Sequence, residues 1–236
     1  MLRYLLPLLL LAGATSVLSA QFEARLFDRG IDTMHYLVHF PAGYDRDTAD
    51  WPVILFLHGG GNSGSELQRV RESGLPKEID NGLALPAIVI APQNRFVAGF
   101  WDHVALTQLL DDFIARHRVD HDRQYLTGFS RGGFGAWATA MHNQGRFAAL
   151  APVCGAVPHS YYVWVDPQLP LWVFHGAEDR SIYLDESTDI LDKLWDRMQV
   201  KPRFTVYENT AHNAWDPAYA DPELYQWMLA QRRQQK

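Results

Sequence analysis

The stretch Leu126–Gly135 reads LTGFSRGGFG and places Ser130 between an apolar run and a run of small, helix-compatible residues. Gly128 and Gly132 lie two residues before and two residues after this serine, and Gly133 follows directly. Because each glycine weakens a strand or a helix by roughly 0.5–1 kcal/mol relative to alanine, this spacing indicates backbone with no room for a Cβ atom. A tight strand-to-helix turn meets that requirement. It would hold Ser130 in a strained conformation at a helix N-terminus.

Apolar, β-rich runs alternate along the chain with segments of helical periodicity. The predicted strands are Met34–Phe40, Pro52–His58, Pro86–Pro92, Gln124–Phe129, Arg146–Val153, Pro170–His175 and Arg203–Glu208. The predicted helices are 104–117, 134–143, 187–198 and 221–233, with Ser187 and Asp221 as N-caps. This alternation predicts one α/β domain with a mainly parallel central sheet and helices on both faces. In such sheets, sites form at the carboxyl ends of the strands.

The composition is that of an ordinary globular domain with moderate negative charge. The chain has 236 residues, 47% of them hydrophobic and 20% charged, and its formal net charge is −6. This length is enough for one sizeable core, and no repeat or linker divides the chain. Lysine and arginine form no run in the body of the chain, so nucleic acid is not an expected partner.

Residues 1–20 have the form of a secretory signal peptide, in which Arg3 precedes an apolar stretch and small residues lead to Ala20. We therefore expect one folded domain, which carries the site, over residues 21–236, in a secreted or periplasmic protein. The apolar stretch is short for a membrane span, so no stable span is expected after leader removal. The alternative is a retained N-terminal anchor. The single cysteine, Cys154, cannot form an internal disulfide and is expected to be a small buried residue.

A second glycine-rich stretch, FLHGGGNSG over residues 56–64, follows the most apolar predicted strand. An acyl-transfer site needs two N–H donors for the oxyanion of its tetrahedral intermediate, and glycines leave the backbone free to supply them. The expected donors are the N–H of Arg131, directly after the candidate nucleophile Ser130, and the N–H of Gly60 or Gly61. The stretch lacks the Lys-Ser/Thr ending of a phosphate-binding loop, so nucleotide binding is not expected.

A serine hydroxyl becomes a good nucleophile only beside a base, usually a histidine that a carboxylate orients. In a fold of this kind the three residues follow in the order Ser, Asp or Glu, His. The segment WVFHGAEDRSI, residues 172–182, offers Asp179 just after a predicted strand, with Glu178 and Asp185 as alternatives. His212 lies in the loop after the last predicted strand and is the only histidine that follows Asp179.

Other histidines have simpler interpretations. His175 and His58 each end a predicted strand and are expected to support the loops that follow them. The segment HRVDHDR, residues 117–123, contains two histidines four residues apart with aspartates next to the second. These residue types would allow a zinc site there. No further ligand motif lies nearby, and a polar helix-to-strand turn with Asp120 paired to Arg123 is the preferred interpretation. No metal and no cofactor is expected.

Together the segments LHGGGNSG, YLTGFSRGGFGAW, FHGAEDRSI, YENTAHNAWDPAY and DPELYQWMLAQ resemble the α/β-hydrolase superfamily over about residues 34–231. More narrowly, they are similar to secreted esterases grouped with polyhydroxybutyrate depolymerases, feruloyl and acetylxylan esterases, and dienelactone-hydrolase-like "predicted peptidases". The resemblance implies a single-domain α/β-hydrolase fold. It also implies Ser130 as nucleophile, Asp179 and His212 as its triad partners, an oxyanion loop at Gly60 and Gly61, and no cofactor.

The chain departs from this family pattern at two points. Ala211 precedes the final histidine where relatives often have glycine, and Arg131 follows the serine where they often have an apolar residue or methionine. Arg131 suggests a cation near the mouth of the site that favours anionic substrates. Serine in place of cysteine at position 130 argues against a true dienelactone hydrolase.

Aromatic residues are frequent in the loops expected around the site: Phe96, Phe100, Trp101, Tyr161, Tyr162, Trp164 and Trp215. Of these, Trp215 and Trp101 are the candidate substrate-binding residues. The leading hypothesis is a secreted serine hydrolase of carboxylic esters, acting on a small molecule or on a carbohydrate or polymer ester. The alternatives are a serine peptidase for short peptides and a catalytically silent binding protein, since fold alone does not establish activity.

Overall fold

The computed structural model describes residues 22–233, and the predicted signal peptide lies outside the described residues. The strands are β1 (Glu23–Asp28), β2 (Thr33–His39), β3 (Trp51–Leu57), β4 (Ile88–Pro92), β5 (Val119–Phe129), β6 (Ala149–Val153), β7 (Trp172–Gly176) and β8 (Arg203–Tyr207). They form one sheet in the order β1-β2-β4-β3-β5-β6-β7-β8. β2 is antiparallel to both of its neighbours, and the other pairs are parallel.

Helices cover both faces of this sheet. They are α1 (Gly74–Asp80), α2 (His103–Ile114), α3 (Arg131–His142), α4 (Leu184–Trp195), α5 (Trp215–Ala220) and α6 (Pro222–Ala230). Apolar residues of α2, α3 and α4 join one buried cluster, and those of α1, α5 and α6 join another. None of the helices within residues 22–233 is long and apolar enough to cross a membrane. The α/β-hydrolase fold predicted from the sequence is confirmed.

Strand β3 shows how one strand supplies both cores. Val53, Leu55 and Leu57 belong to the cluster under α2, α3 and α4, and Ile54 and Phe56 belong to the opposite cluster. All five are completely buried. Successive side chains of a strand point to opposite faces, so a continuous apolar run is what a sheet covered on both sides requires.

Some element boundaries differ from the prediction. The predicted turn at residues 117–123 is wrong from Val119 onward, because β5 begins there. The expected Asp120–Arg123 pair is present, with Nε 2.6 Å from the carboxylate. The predicted N-cap at Ser187 is also wrong, because α4 begins at Leu184 and Ser187 is buried inside it.

The sheet topology brings four loops to one edge. Strands β3, β5, β7 and β8 are parallel members of the same sheet, so their carboxyl ends lie on the same side. The loop with the three consecutive glycines follows β3, Ser130 follows β5, Asp179 follows β7, and His212 follows β8. Residues far apart in the sequence therefore meet above this edge, as expected for a parallel sheet.

Candidate active site

Ser130 is the single residue between β5 and α3. Its backbone has φ 53° and ψ −122°, which a residue other than glycine rarely adopts. Conformations of this kind cost on the order of 1–3 kcal/mol and persist only where the surroundings enforce them. Here the Ser130 N–H donates a hydrogen bond of 2.9 Å to the Val153 carbonyl at the end of β6. The neighbouring strand thus helps to hold the turn that presents the hydroxyl.

The glycines around Ser130 are required because backbones approach very closely there. A Cβ atom on Gly128 would lie 2.4 Å from the Gly132 carbonyl oxygen, and one on Gly132 would lie 2.0 Å from the Leu57 carbonyl oxygen. Real Cβ atoms do not come this near to a main-chain oxygen. The explanation drawn from the sequence, that strand and helix pack too closely for a side chain, is confirmed.

A continuous chain of hydrogen bonds joins the three residues singled out in the sequence. Ser130 Oγ lies 2.8 Å from His212 Nε2, and His212 Nδ1 lies 2.7 Å from Asp179 Oδ2. The other carboxylate oxygen, Oδ1, accepts the N–H groups of Ser181 and Ile182 at 2.8 and 3.0 Å. A carboxylate accepts hydrogen bonds, so the His212 proton sits on Nδ1 and Nε2 is free to accept the serine proton.

The alternative carboxylates do not share this position. Glu178 and Asp185 have exposed side chains, whereas Asp179 is buried and is the carboxylate bonded to His212. The histidine in turn is reached from solvent, with 24% of its side chain exposed. The buried Asp179 carboxylate fixes the orientation of the His212 ring, and Nε2 on the other side of the ring can exchange a proton with Ser130.

His175 supports the aspartate from below. Its ring is completely buried, with Nδ1 2.8 Å from Ser187 Oγ, and Nε2 2.9 Å from the Ile182 carbonyl and 3.4 Å from Asp179 Oδ2. A carbonyl oxygen only accepts, so Nε2 carries the proton and Nδ1 accepts the Ser187 hydroxyl. The ring joins β7 to α4 across the loop that carries the carboxylate, which is the structural role expected of it.

The glycine loop, residues 59–64, lies beside the serine. Gly60–Asn62 forms one turn of 3₁₀ helix, and Arg131 is the first residue of α3. The first N–H groups of a helical turn have no hydrogen-bond partner within that turn. Gly60, Gly61 and Arg131 stand at such positions, so their N–H groups are available as donors. The structure thus brings the three predicted oxyanion residues to the same carboxyl edge as Ser130.

Buried polar groups fix the glycine loop to the sheet. His58 Nδ1 donates to the Gly59 carbonyl at 2.7 Å, and the Asn94 N–H donates to His58 Nε2 at 3.1 Å. Burial of this ring lowers the pKa of His58 to about 4. The imidazole is therefore neutral at physiological pH, which is the state that can donate from one nitrogen and accept at the other.

Three further side-chain hydrogen bonds join the glycine loop to its surroundings. Arg69 donates to the Gly61 carbonyl at 2.5 Å, and Gln93 donates to the Asn62 carbonyl at 3.0 Å. The Asn62 amide donates to the Arg69 carbonyl at 2.8 Å. These supports were not recognised in the sequence. Together they fix the position of the loop in advance, as electrostatic stabilisation of a transition state requires.

The Arg131 side chain lies against the glycine loop. Its Nη1 donates to the Val97 carbonyl at 2.5 Å, and a Cβ atom on Gly60 would lie 2.7 Å from the guanidinium. The cation expected near the mouth is thus engaged with main-chain carbonyl oxygen. It joins the first turn of α3 to the loop after β4.

The two tryptophans proposed for substrate binding differ in position. Trp101 is only 7% exposed, and its indole N–H donates to the His58 carbonyl at 3.3 Å, so its ring supports the glycine loop from within. Trp215 is half-buried and its ring is perpendicular to that of His212, with ring centroids 5.3 Å apart. Its other neighbour is Phe129, at 4.6 Å between centroids. Trp215 is therefore the tryptophan next to the reacting groups.

Comparison with known proteins identifies the family. The family described as "Putative esterase" matches residues 31–226, which is most of the chain. The chain belongs to this esterase family.

Individual relatives and a solved structure agree with this family. The chain is 30% identical over 141 residues to "Putative esterase NocK" of Nocardia uniformis subsp. tsuyamanensis, a match that covers 53% of the chain and 39% of that protein. It is 26% identical over 170 residues to "Probable feruloyl esterase C" of Aspergillus terreus, covering 70% of the chain and 62% of that protein. A crystal structure of a thermostable esterase superposes with a TM-score of 0.75 at 25% identity, over 90% of the chain and 63% of that structure. This member of the esterase family thus spans less than two thirds of each relative's length.

Proposed function

We propose that this chain is a serine esterase that hydrolyses carboxylic esters through an acyl-enzyme on Ser130. The observation that carries the proposal is the hydrogen-bonded chain from Ser130 Oγ through His212 to the buried Asp179 carboxylate. Membership of the esterase family supports an ester as the bond that is cleaved.

In the proposed reaction Ser130 Oγ attacks the ester carbonyl carbon while its proton passes to His212 Nε2. The positive charge that forms on the imidazole is stabilised by the Asp179 carboxylate, which accepts the hydrogen bond from Nδ1–H throughout while the proton stays on the ring. The negative charge on the former carbonyl oxygen is met by the N–H groups of Arg131 and of Gly60 or Gly61. His212 then gives its proton to the leaving alcohol, and a water molecule repeats the sequence to release the acid.

The proposed substrate class follows from the surroundings of His212. Trp215 places an aromatic ring next to His212, which suits an acyl group with an apolar or aromatic body. A small-molecule ester or a carbohydrate or polymer ester is therefore the proposed substrate class, and the relative named as a feruloyl esterase supports aromatic acyl groups. Secretion or a periplasmic location is proposed from the leader-like residues 1–20 alone.

A substrate panel tests this function. The wild type, Ser130→Ala and a matched control are assayed on p-nitrophenyl esters, feruloyl and acetyl sugars, and aminoacyl amides. The control is Ser65→Ala, which changes an exposed serine directly after the glycine loop. We expect ester turnover in the wild type and in Ser65→Ala, and loss of about 10³-fold or more in Ser130→Ala. Preferential cleavage of the aminoacyl amides would identify a peptidase instead. Ester turnover that survives Ser130→Ala would refute the proposal.

A further inference from the structure

The only cysteine of the chain lies against the three residues of the candidate site. Cys154 directly follows β6, is completely buried, and has a φ of 38° that a side-chain-bearing residue rarely adopts. Its N–H donates to the Phe174 carbonyl at 2.8 Å, which ties it to β7. Cys154 thus lies at the end of β6, which accepts the Ser130 N–H, and is bonded to β7, which leads to Asp179.

The thiol completes a set of metal-ligand types. Cys154 Sγ, a carboxylate oxygen of Asp179 and a ring nitrogen of His212 all lie within 4.8 Å of one another. Within residues 22–233 no other three His, Cys, Asp or Glu side chains come together in this way. Zinc binds thiolate, imidazole and carboxylate at about 2.0–2.3 Å, so ligand atoms of a tetrahedral site lie roughly 3.3–3.8 Å apart. Side-chain movements of about 1 Å would bring the three groups to one ion.

The charge balance of the three groups also suits a divalent cation. A thiolate and a carboxylate carry two negative charges, which neutralise the ion, and a neutral imidazole adds none. Cys154 and Asp179 are both buried, and a buried site tolerates an ion only when its charge is balanced. The sulfur ligand selects thiophilic ions such as Zn²⁺ and Cd²⁺ over Mg²⁺, which prefers oxygen ligands.

We propose that Cys154, Asp179 and His212 form a binding site for a thiophilic divalent cation, and that the bound ion stops ester hydrolysis. The ion binds the His212 nitrogen that faces Asp179, which is Nδ1. The Nδ1 proton moves to Nε2, the Cys154 thiol releases its proton to solvent, and a water molecule takes the fourth coordination position. One proton is thus released for each ion bound.

Inhibition follows from the change in the imidazole. With a proton on Nε2, His212 donates to Ser130 Oγ instead of accepting from it, so the serine has no base. The effect on rate rests on the proposed function, whereas binding of the ion does not. Binding and turnover are therefore measured separately.

The first experiment titrates the full chain, kept reduced by a phosphine, with CdCl₂. Cadmium–thiolate charge-transfer absorption reports Cys154 alone, since the chain has one cysteine. We expect one Cd²⁺ and one released proton per chain, and a loss of p-nitrophenyl ester turnover with the same midpoint. ZnCl₂ should compete for the site, MgCl₂ should have no effect, and a chelator should restore the rate. Absence of the thiolate absorption would overturn the proposal.

Variants separate the binding site from the reaction. Ser130→Ala should bind Cd²⁺ as the wild type does, although it turns over no ester. Cys154→Ser should lose the absorption, and its inhibition midpoint, measured against its own metal-free rate, should rise about tenfold or more. Should Cys154→Ser fail to fold, His212→Gln keeps the thiol and should weaken Cd²⁺ binding by a similar factor. Unchanged binding in His212→Gln, or unchanged inhibition in Cys154→Ser, would refute the site. Cd²⁺ binding without ester turnover in metal-free protein would refute the esterase function alone.

Discussion

Protonation of His58 tests how the glycine loop is held. The ring is 1% exposed, and it donates to the Gly59 carbonyl and accepts the Asn94 N–H. A proton added at Nε2 would place two N–H groups against each other in a buried position. Burial accordingly lowers the pKa of His58 from 6.5 to about 4 in the folded protein.

The size of the effect follows from these two pKa values. Between pH 6.5 and pH 4 the unfolded chain binds a proton at His58 that the folded chain does not, so the free energy of unfolding falls as the pH falls. Integrated down to pH 4, the difference amounts to about 3 kcal/mol. Above about pH 7.5 neither state is protonated, and the contribution to the pH dependence vanishes.

Urea unfolding from about pH 7.5 to about pH 4 measures this loss in the wild type and in His58→Gln. The glutamine carbonyl can accept the Asn94 N–H where Nε2 did, but it does not titrate, so the variant should lack the loss of about 3 kcal/mol. Contributions from other histidines cancel in the comparison. The exposed control His35→Gln should follow the wild type. An equal loss of stability in the wild type and His58→Gln would show that protonation of His58 is not the cause of the loss.

Three further predictions concern the candidate site itself. Asp179→Asn keeps the shape of the side chain but disturbs the His212 tautomer, so kcat for ester hydrolysis should fall about 10⁴-fold in steady-state assays. An unchanged kcat would show that Asp179 does not orient the histidine. Gly132→Ala places a Cβ atom 2.0 Å from a main-chain oxygen of β3. The loss of stability should exceed the about 1–3 kcal/mol of ordinary overpacking, and calorimetry should show it as a lower Tm. A wild-type Tm would show that the turn can relax. Arg131→Ala removes the bond to the Val97 carbonyl, and rates on neutral and acidic esters should fall by the same factor, since the guanidinium is already engaged. A loss confined to acidic esters would show that it binds substrate.

Features that arise from neighbouring residues could be predicted from the sequence. Continuous apolar runs such as 53–57 indicated strands buried on both faces, and the structure has them in a mainly parallel sheet. The spacing of Gly128 and Gly132 around Ser130 indicated a backbone contact that a Cβ would prevent, and that contact is present.

Features that arise from tertiary packing could not be predicted in this way. Strand β1 has mostly exposed or half-buried side chains at the sheet edge, so no apolar run marks it. The backbone N–H groups of Ser181 and Ile182 hold the Asp179 carboxylate, and backbone groups leave no trace in residue type. The sequence suggests Trp101 for substrate binding because it lies in a loop rich in aromatic residues, but only the fold shows its ring beneath the glycine loop.

The proposed function requires that the environment of Ser130 make its hydroxyl a nucleophile. Labelling with a fluorophosphonate, followed by intact-mass and peptide mass spectrometry, measures this directly in the folded chain. We expect one adduct per chain on the peptide that contains Ser130, no adduct in Ser130→Ala, and strongly slowed labelling in His212→Ala. An unlabelled folded wild type, or an adduct on another residue, would show that Ser130 is not the nucleophile.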